Sequence, residues 1–199
     1  MKTLSQFTLI TGGARSGKSR FAELLAAQPK RPVIYIATAQ ILDEEMSLRV
    51  KKHQKQRPSN WRLIEEPRNI LDTLLKLKAE DGVILLDCVT LWLTNLLLAG
   101  YVPDDHNCFN NTLEPQILKR VQDVAQLARD IKPKVIFVSN EVGQGIVPEN
   151  ALARAYRDLA GRSNQILARS ADQVYMVVAG IPMEIKHSGE TLLASLLKE

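Results

Sequence analysis

Gly12-Gly13-Ala14-Arg15-Ser16-Gly17-Lys18-Ser19 has the residue types and spacing to hold a chain of phosphates. It fits G-x-x-x-x-G-K-[ST], the Walker A loop. Its glycines let the backbone turn tightly and present consecutive N–H groups, which face phosphate oxygens together with the N-terminus of the helix that follows. Lys18 can reach the β- and γ-phosphates, and the Ser19 hydroxyl can ligate Mg²⁺. Leu85-Leu86-Asp87 is an apolar run closed by an acid. Alone, Asp87 is as readily a turn or cap residue. Beside a phosphate loop it reads as Walker B, a carboxylate holding Mg²⁺ directly or through water. His53 lies in the charge run Arg49 to Pro58. From spacing alone it reads as a solvated side chain. Its alternative chemistry is nucleophilic, because a neutral imidazole can attack phosphorus and form a phosphoramidate. The cationic neighbours favour the neutral ring and could stabilise charge on transferring phosphoryl oxygens.

The elements that must position these groups alternate between short apolar runs and helical patterns. Phe7–Thr11 reads as a buried strand before the loop, and Arg20–Ala26 as an amphipathic helix after it. Val33–Ala37 is a second strand, Asp43 to Gln56 a charged helix and Trp61–Glu65 a short strand. Pro67 opens a helix with Ile70, Leu71, Leu74, Leu75 and Leu77 as its stripe. Gly82–Asp87 is a strand, Thr90–Leu98 a helix apolar nearly all round, and Gly100–Asn110 a polar loop. Leu113–Asp130 is a long amphipathic helix and Val135–Ser139 a strand. Asn150 can cap a helix running to about Ala171, and Gln173–Ala179 is the last clear strand. Such alternation predicts right-handed crossovers and a mostly parallel central sheet with helices on both faces. Ligands then bind beyond the carboxyl ends of the strands, where all of these motifs fall.

Composition bounds the rest. A chain of 199 residues is expected to form one domain over 1–199 with a full core. The 45% apolar and 24% charged shares are those of an ordinary globular protein. A net charge of +4 fits solvated surface cations or a preference for anionic ligands. Cys88 and Cys108 make neither a disulfide framework nor a metal cluster, which fits a reducing cytoplasm. No signal-like segment opens the sequence, and the longest apolar run, Leu91–Ala99, is too short to span a bilayer. His106 and His187 lack chemical context and read as surface residues.

Two further stretches stay open on the residues alone. Asn140–Pro148 leaves the end of a strand as a glycine-bearing loop, either a simple turn or a substrate wall. Arg154, Arg157, Arg162 and Arg169 form a solvated basic face or an anion-facing or subunit-facing stripe. No N-K-x-D tetrapeptide occurs, which argues against the common guanine-reading GTPase switch.

Taken together, these blocks resemble one family, the bifunctional adenosylcobinamide kinase / adenosylcobinamide-phosphate guanylyltransferases of cobalamin biosynthesis. The resemblance runs from Thr11 to about Lys186. It is carried by Thr11–Ser19, Tyr35–Ala39, Asp43, Glu45-Met46, Arg49, His53, Arg57-Pro58, Trp61, Glu65, Leu86–Leu97 and Ser139–Pro148. Arg157-Asp158, Gly161-Arg162, Asn164-Gln165 and Ala171-Asp172 complete it. The resemblance implies a RecA-like P-loop NTPase fold and two reactions. A nucleoside triphosphate, GTP or ATP, phosphorylates the aminopropanol hydroxyl of adenosylcobinamide. GTP then gives its GMP to a histidine with loss of pyrophosphate, and the phosphorylated corrinoid takes that GMP to give adenosylcobinamide-GDP.

The same resemblance implies His53 as the guanylylated residue and Lys18 as the catalytic cation of the loop. Nucleotide contacts fall on Gly12, Gly13, Ala14, Arg15, Ser16, Gly17, Lys18 and Ser19. They extend to Thr38, Ala39, Gln40, Gln54, Lys55, Gln56, Arg57, Glu65 and Asp87, with Mg²⁺ at Ser19 and Asp87. It also implies a homotrimer, to which the apolar Leu91–Leu98 stretch could contribute. Three other readings compete: a P-loop metabolite kinase with an idle His53, a RecA-like ATPase acting on nucleic acid, and a GTP-binding regulatory module. No aromatic-basic stacking pattern supports the second, and the missing N-K-x-D opposes the third.

Overall fold

The computed structural model describes residues 6–40, 58–100 and 112–196. Its strands are β1 (Phe7–Thr11), β2 (Val33–Ala37), β3 (Arg62–Glu65), β4 (Val83–Asp87), β5 (Lys134–Val138), β6 (Gln173–Val178) and β7 (Ile181–Glu184). Its helices are α1 (Lys18–Ala27), α2 (Ile70–Leu77), α3 (Val89–Gly100), α4 (Glu114–Asp130), α5 (Ala151–Ser170) and α6 (Lys186–Leu196). The charged helix expected over Asp43–Gln56 lies wholly outside the described residues, and so do Tyr101–Asn110 of the expected loop. Gly100, expected to open that loop, ends α3 instead.

The strands form a single sheet in the order β3-β2-β4-β5-β1-β6-β7. All pairs are parallel except β6 with β7. Near-continuous apolar runs suit such strands because both faces of a covered parallel sheet are buried. Alternate side chains feed two cores. Phe7, Leu9, Ile34, Ile36, Ile84, Leu86, Val135 and Phe137 face α2, α3, α4 and α5. Ile10, Val33, Tyr35, Val83, Leu85, Ile136 and Val138 face α1, which meets them with Ala22 and Ala26. Small residues on α1 let the helix that follows the phosphate loop lie close to the sheet. The mostly apolar α3 is largely spent inside the chain, with Trp92 and Leu93 buried and Leu98 exposed.

β1, β2 and β4 share one burial pattern. Four residues are buried and the fifth emerges at the carboxyl edge. The emerging residues are Thr11, Ala37 and Asp87. The polar site is therefore the rim where apolar strands run out of helix cover.

One expectation is corrected. The last strand is not Gln173–Ala179, because β7 and α6 follow β6. Ala179 and Gly180 have φ of 51° and 83°, so both central residues are left-handed and close a tight hairpin. Pro182 sits in β7 at the edge of the sheet, where its missing N–H costs no ladder bond. Glu184 then accepts from the backbone N–H groups of Lys186 and His187 at 3.1 and 3.2 Å and opens α6. His187 is exposed, as expected.

The Asn150 cap is present as expected, its Oδ1 accepting from the Ala153 N–H at 3.0 Å. Asn150→Ala should lower unfolding free energy by about 1 kcal/mol, and Asn150→Asp or Asn150→Ser should recover most of it. Denaturant midpoints at constant slope measure both.

Candidate functional site at the carboxyl edge of the sheet

The phosphate loop leaves β1 at Gly12 and enters α1 at Lys18. Its conformation is one that only its sequence permits. Gly12 has φ of 153°, and a Cβ there would lie 2.5 Å from the Val177 carbonyl oxygen of β6. On the open side, a Cβ at Gly13 would meet nothing within 4 Å. Gly17, with φ of 94°, leads into the first turn of α1, whose N–H groups have no intrahelical acceptor.

The loop's carbonyls are tied back into the protein. The Glu141 N–H donates to Gly12 at 3.0 Å, Ser16 to Gly13 at 3.2 Å, Gly180 to Ser16 at 2.8 Å and Phe21 to Gly17 at 3.0 Å. Lys18 is buried, and its Nζ donates to the Gly13 carbonyl at 3.1 Å across the mouth of the loop. Two buried hydroxyls here, Thr11 Oγ1 and Ser16 Oγ, have no protein partner. With its carbonyls tied back, the loop's N–H groups and Lys18 make a donor-rich turn, which fits the phosphates of a nucleotide.

The strand order sets the spacing of the other groups. β5 lies between β1 and β4, so Asp87 stands two strand spacings, about 10 Å, from the end of β1. Asp87 Oδ2 accepts from the Tyr35 hydroxyl at 3.0 Å. Tyr35 sits diagonally across from Asp87, because Tyr35 pairs with Leu85 and Ala37 with Asp87. The remaining carboxylate oxygen and the Ser19 hydroxyl suit Mg²⁺ bound alongside nucleotide oxygens. No cluster of three metal-ligating side chains exists among the described residues.

Thr38 follows β2 and is fully buried. Its Oγ1 donates to the Cys88 carbonyl at 2.7 Å and accepts from the Cys88 N–H at 2.9 Å. That side chain is committed to holding the turn after Asp87. Ala39 and Gln40 are half-buried, and Glu65 is exposed at the end of β3, level with Ala37. His53, Gln54, Lys55, Gln56 and Arg57 lie outside the described residues, as do His106 and Cys108. Burial pushes the Cys88 thiol up and the Asp87 charge adds to this, while hydrogen bonds from Thr90 and the Leu91 backbone and the Lys18 charge pull it down. Cys88 is thus a neutral thiol within the influence of both charged groups of the site.

The arginines of α5 do not act as one stripe. Arg154 donates to the Pro148 and Glu149 carbonyls. Arg162 pairs with the buried Glu114 at 2.6 Å. Arg157 Nη1 is buried without a hydrogen bond, and Arg169 is exposed. Of the Asn140–Pro148 loop, Gly143 to Val147 are exposed, Ile146 to 98%.

Sequence reasoning gave no role to Tyr35 or to the Ala179-Gly180 turn. The signals were a tyrosine amid aliphatic strand residues and a glycine two residues ahead of a proline.

The family model described as cobinamide kinase / cobinamide phosphate guanyltransferase matches residues 8–185. The chain is 49% identical over 180 residues to the bifunctional adenosylcobalamin biosynthesis protein CobU of Salmonella typhimurium, covering 89% of this chain and 98% of that one. It is 45% identical over 186 residues to the bifunctional adenosylcobalamin biosynthesis protein CobP of Pseudomonas aeruginosa, covering 92% and 98%. Among solved structures, an ATPase from a type III secretion system superposes with a TM-score of 0.53 at 13% identity, over 94% of this chain and 58% of that one. That likeness concerns the fold alone and agrees with the RecA-like P-loop architecture.

Lys18→Met keeps the buried stem and discards the charge. It should cut Mg·nucleotide turnover by about 10²–10³-fold while leaving the fold intact. Steady-state rates and circular dichroism together check this.

Proposed function

The chain belongs to the cobinamide kinase / cobinamide phosphate guanyltransferase family, and on that premise we propose that it carries out both reactions at the one carboxyl-edge site. The observation that carries this reading is the convergence of the Lys18 loop and Asp87 on that edge, in a chain matched almost end to end by bifunctional relatives.

In the first reaction the loop holds the β- and γ-phosphates of GTP or ATP. The aminopropanol hydroxyl of adenosylcobinamide attacks the γ-phosphorus, the bond to the β-phosphate oxygen breaks, and the hydroxyl proton is released. Lys18 and the N–H groups of the loop stabilise charge on the transferring oxygens. Ser19 and Asp87 would hold Mg²⁺ beside the phosphates, where it would supply charge neutralisation. In the second reaction a nitrogen of His53 attacks the α-phosphorus of GTP, and pyrophosphate leaves. A phosphate oxygen of adenosylcobinamide phosphate then attacks the same phosphorus, the P–N bond breaks, and adenosylcobinamide-GDP forms. Covalent capture splits one displacement into two. Ala39, Gln40 and Glu65 extend the site along the sheet edge, where the rest of the nucleotide is laid, with Thr38 buried behind them as support rather than as a contact, and Gln54 to Arg57 complete its contacts.

The corrinoid is the small-molecule partner, and nucleic acid is not. No helix among the described residues is long and apolar enough to cross a membrane. A homotrimer working in the cytoplasm, each chain a single domain, completes the reading.

The test is incubation with Mg²⁺ and GTP labelled at the α-phosphate, followed by denaturation. Label that stays on the protein, is acid-labile and base-stable, and is lost in His53→Ala is the expected result. Absence of protein-bound label in the wild type, with cobinamide still phosphorylated, would reduce the chain to a P-loop kinase.

A further inference from the structure

The strand between the two nucleotide elements ends in side chains that the mechanism above leaves idle. β5 lies between β1, which carries the phosphate loop, and β4, which carries Asp87. Asp87 pairs with Val138, and Val138 pairs with Ile10. The residues just beyond Val138 therefore emerge between the loop and the carboxylate.

Asn140 is fastened there by its side chain and its carbonyl. Its Nδ2 donates to Thr90 Oγ1 at 2.6 Å and lies 4.0 Å from Cys88 Sγ. Its carbonyl accepts from Asn164 Nδ2 at 3.1 Å, and the Ser139 hydroxyl donates to Asn164 Oδ1 at 2.6 Å. The backbone on either side holds the loop strand, with the Ser139 N–H on the Ile10 carbonyl at 2.8 Å and the Glu141 N–H on the Gly12 carbonyl at 3.0 Å. Thr90 continues the chain, its Oγ1 lying 3.0 Å from Cys88 Sγ and its carbonyl accepting from the Tyr156 hydroxyl at 3.1 Å. Cys88 directly follows Asp87.

We propose that Asn140, acting through Thr90, is a positioning residue that fixes the Asp87–Cys88 turn, and with it the strand end that carries Asp87, relative to the phosphate loop for phosphoryl transfer. The proposal rests on the kinase reading given above. The amide is suited to the task. Its donor half is bound to Thr90, which closes on Cys88 next to Asp87, while the residues on either side of Asn140 are bound to the loop strand. A rigid cross-strap of this kind matters because catalysis by charge stabilisation tolerates little error, and a displacement of about 1 Å costs on the order of 10²-fold in rate. The Asn140 amide is spent on Thr90 rather than offered to a ligand, so Asn140 governs the rate more than the affinity.

The test is a double-mutant cycle on Asn140→Ala and Thr90→Val, with Thr90→Ser as the conservative control. Phosphorylation of cobinamide, hydrolysis of Mg·GTP without acceptor, nucleotide dissociation constant and unfolding midpoint are measured on each. Each single variant should lower kcat about tenfold with the nucleotide dissociation constant changed less than twofold. Thr90→Ser should stay near wild type. The double variant should be no slower than the slower single, because both cut one relay. Multiplied losses in the double variant would overturn the proposal, as would an unchanged kcat in the singles. So would a kcat loss that tracks the unfolding midpoint or nucleotide affinity. A wild-type protein that hydrolyses GTP but leaves cobinamide unphosphorylated faults the kinase reading, and the cycle is then read on hydrolysis alone.

Discussion

The site depends on one constraint: the phosphate loop must turn its N–H groups outward, and its carbonyls must therefore be satisfied from behind. A loop with loose carbonyls would turn them toward an anionic ligand and repel it. Here each surrounding element supplies a donor. α1 bonds Gly17, the chain after β5 bonds Gly12, and the β6–β7 turn bonds Ser16. Lys18 completes the set on Gly13. The donors come from segments far apart in the chain, so the loop acquires its ligand-ready shape only when the sheet is assembled. Preorganisation of this kind moves the cost of ordering the loop into folding and away from binding.

The sheet order does the second part of the work. Putting β5 between β1 and β4 separates the loop from Asp87 by a fixed width and leaves that gap to be bridged by short polar side chains. Tyr35 and Thr38 steady Asp87 and the turn after it from the β2 side. Thr90 and Asn140 do so from the β5 side. The Asp87 carboxylate, with the turn after it, is thus steadied by neutral hydroxyl and amide groups. Such groups fix its direction without cancelling its charge.

Much of this was legible in the residues. Six of the seven strands were found because parallel strands are short, mostly apolar and bounded by turn residues, and the Gly12–Ser19 loop and Asp87 announced themselves by pattern. The Asn150 cap was visible because asparagine before a helical stripe has a local reason to be there. What stayed hidden was nonlocal. Thr38 looks like any strand-end threonine until Cys88 is set beside it. The Ala179-Gly180 turn lacks the usual asparagine or aspartate, so β7 did not register, although that turn backs the phosphate loop. The arginines of α5 looked like one stripe because helical spacing was visible and their separate partners, Pro148 and Glu114, were not.

The most direct measurement of the central claim is the number of nucleotides bound per chain. Equilibrium titration of the protein with a non-hydrolysable GTP analogue and Mg²⁺ should give one site per chain, lost when Gly12 is replaced by alanine in protein that remains folded. Two independent sites per chain, or full binding with the loop disrupted, would contradict a single carboxyl-edge site serving both reactions.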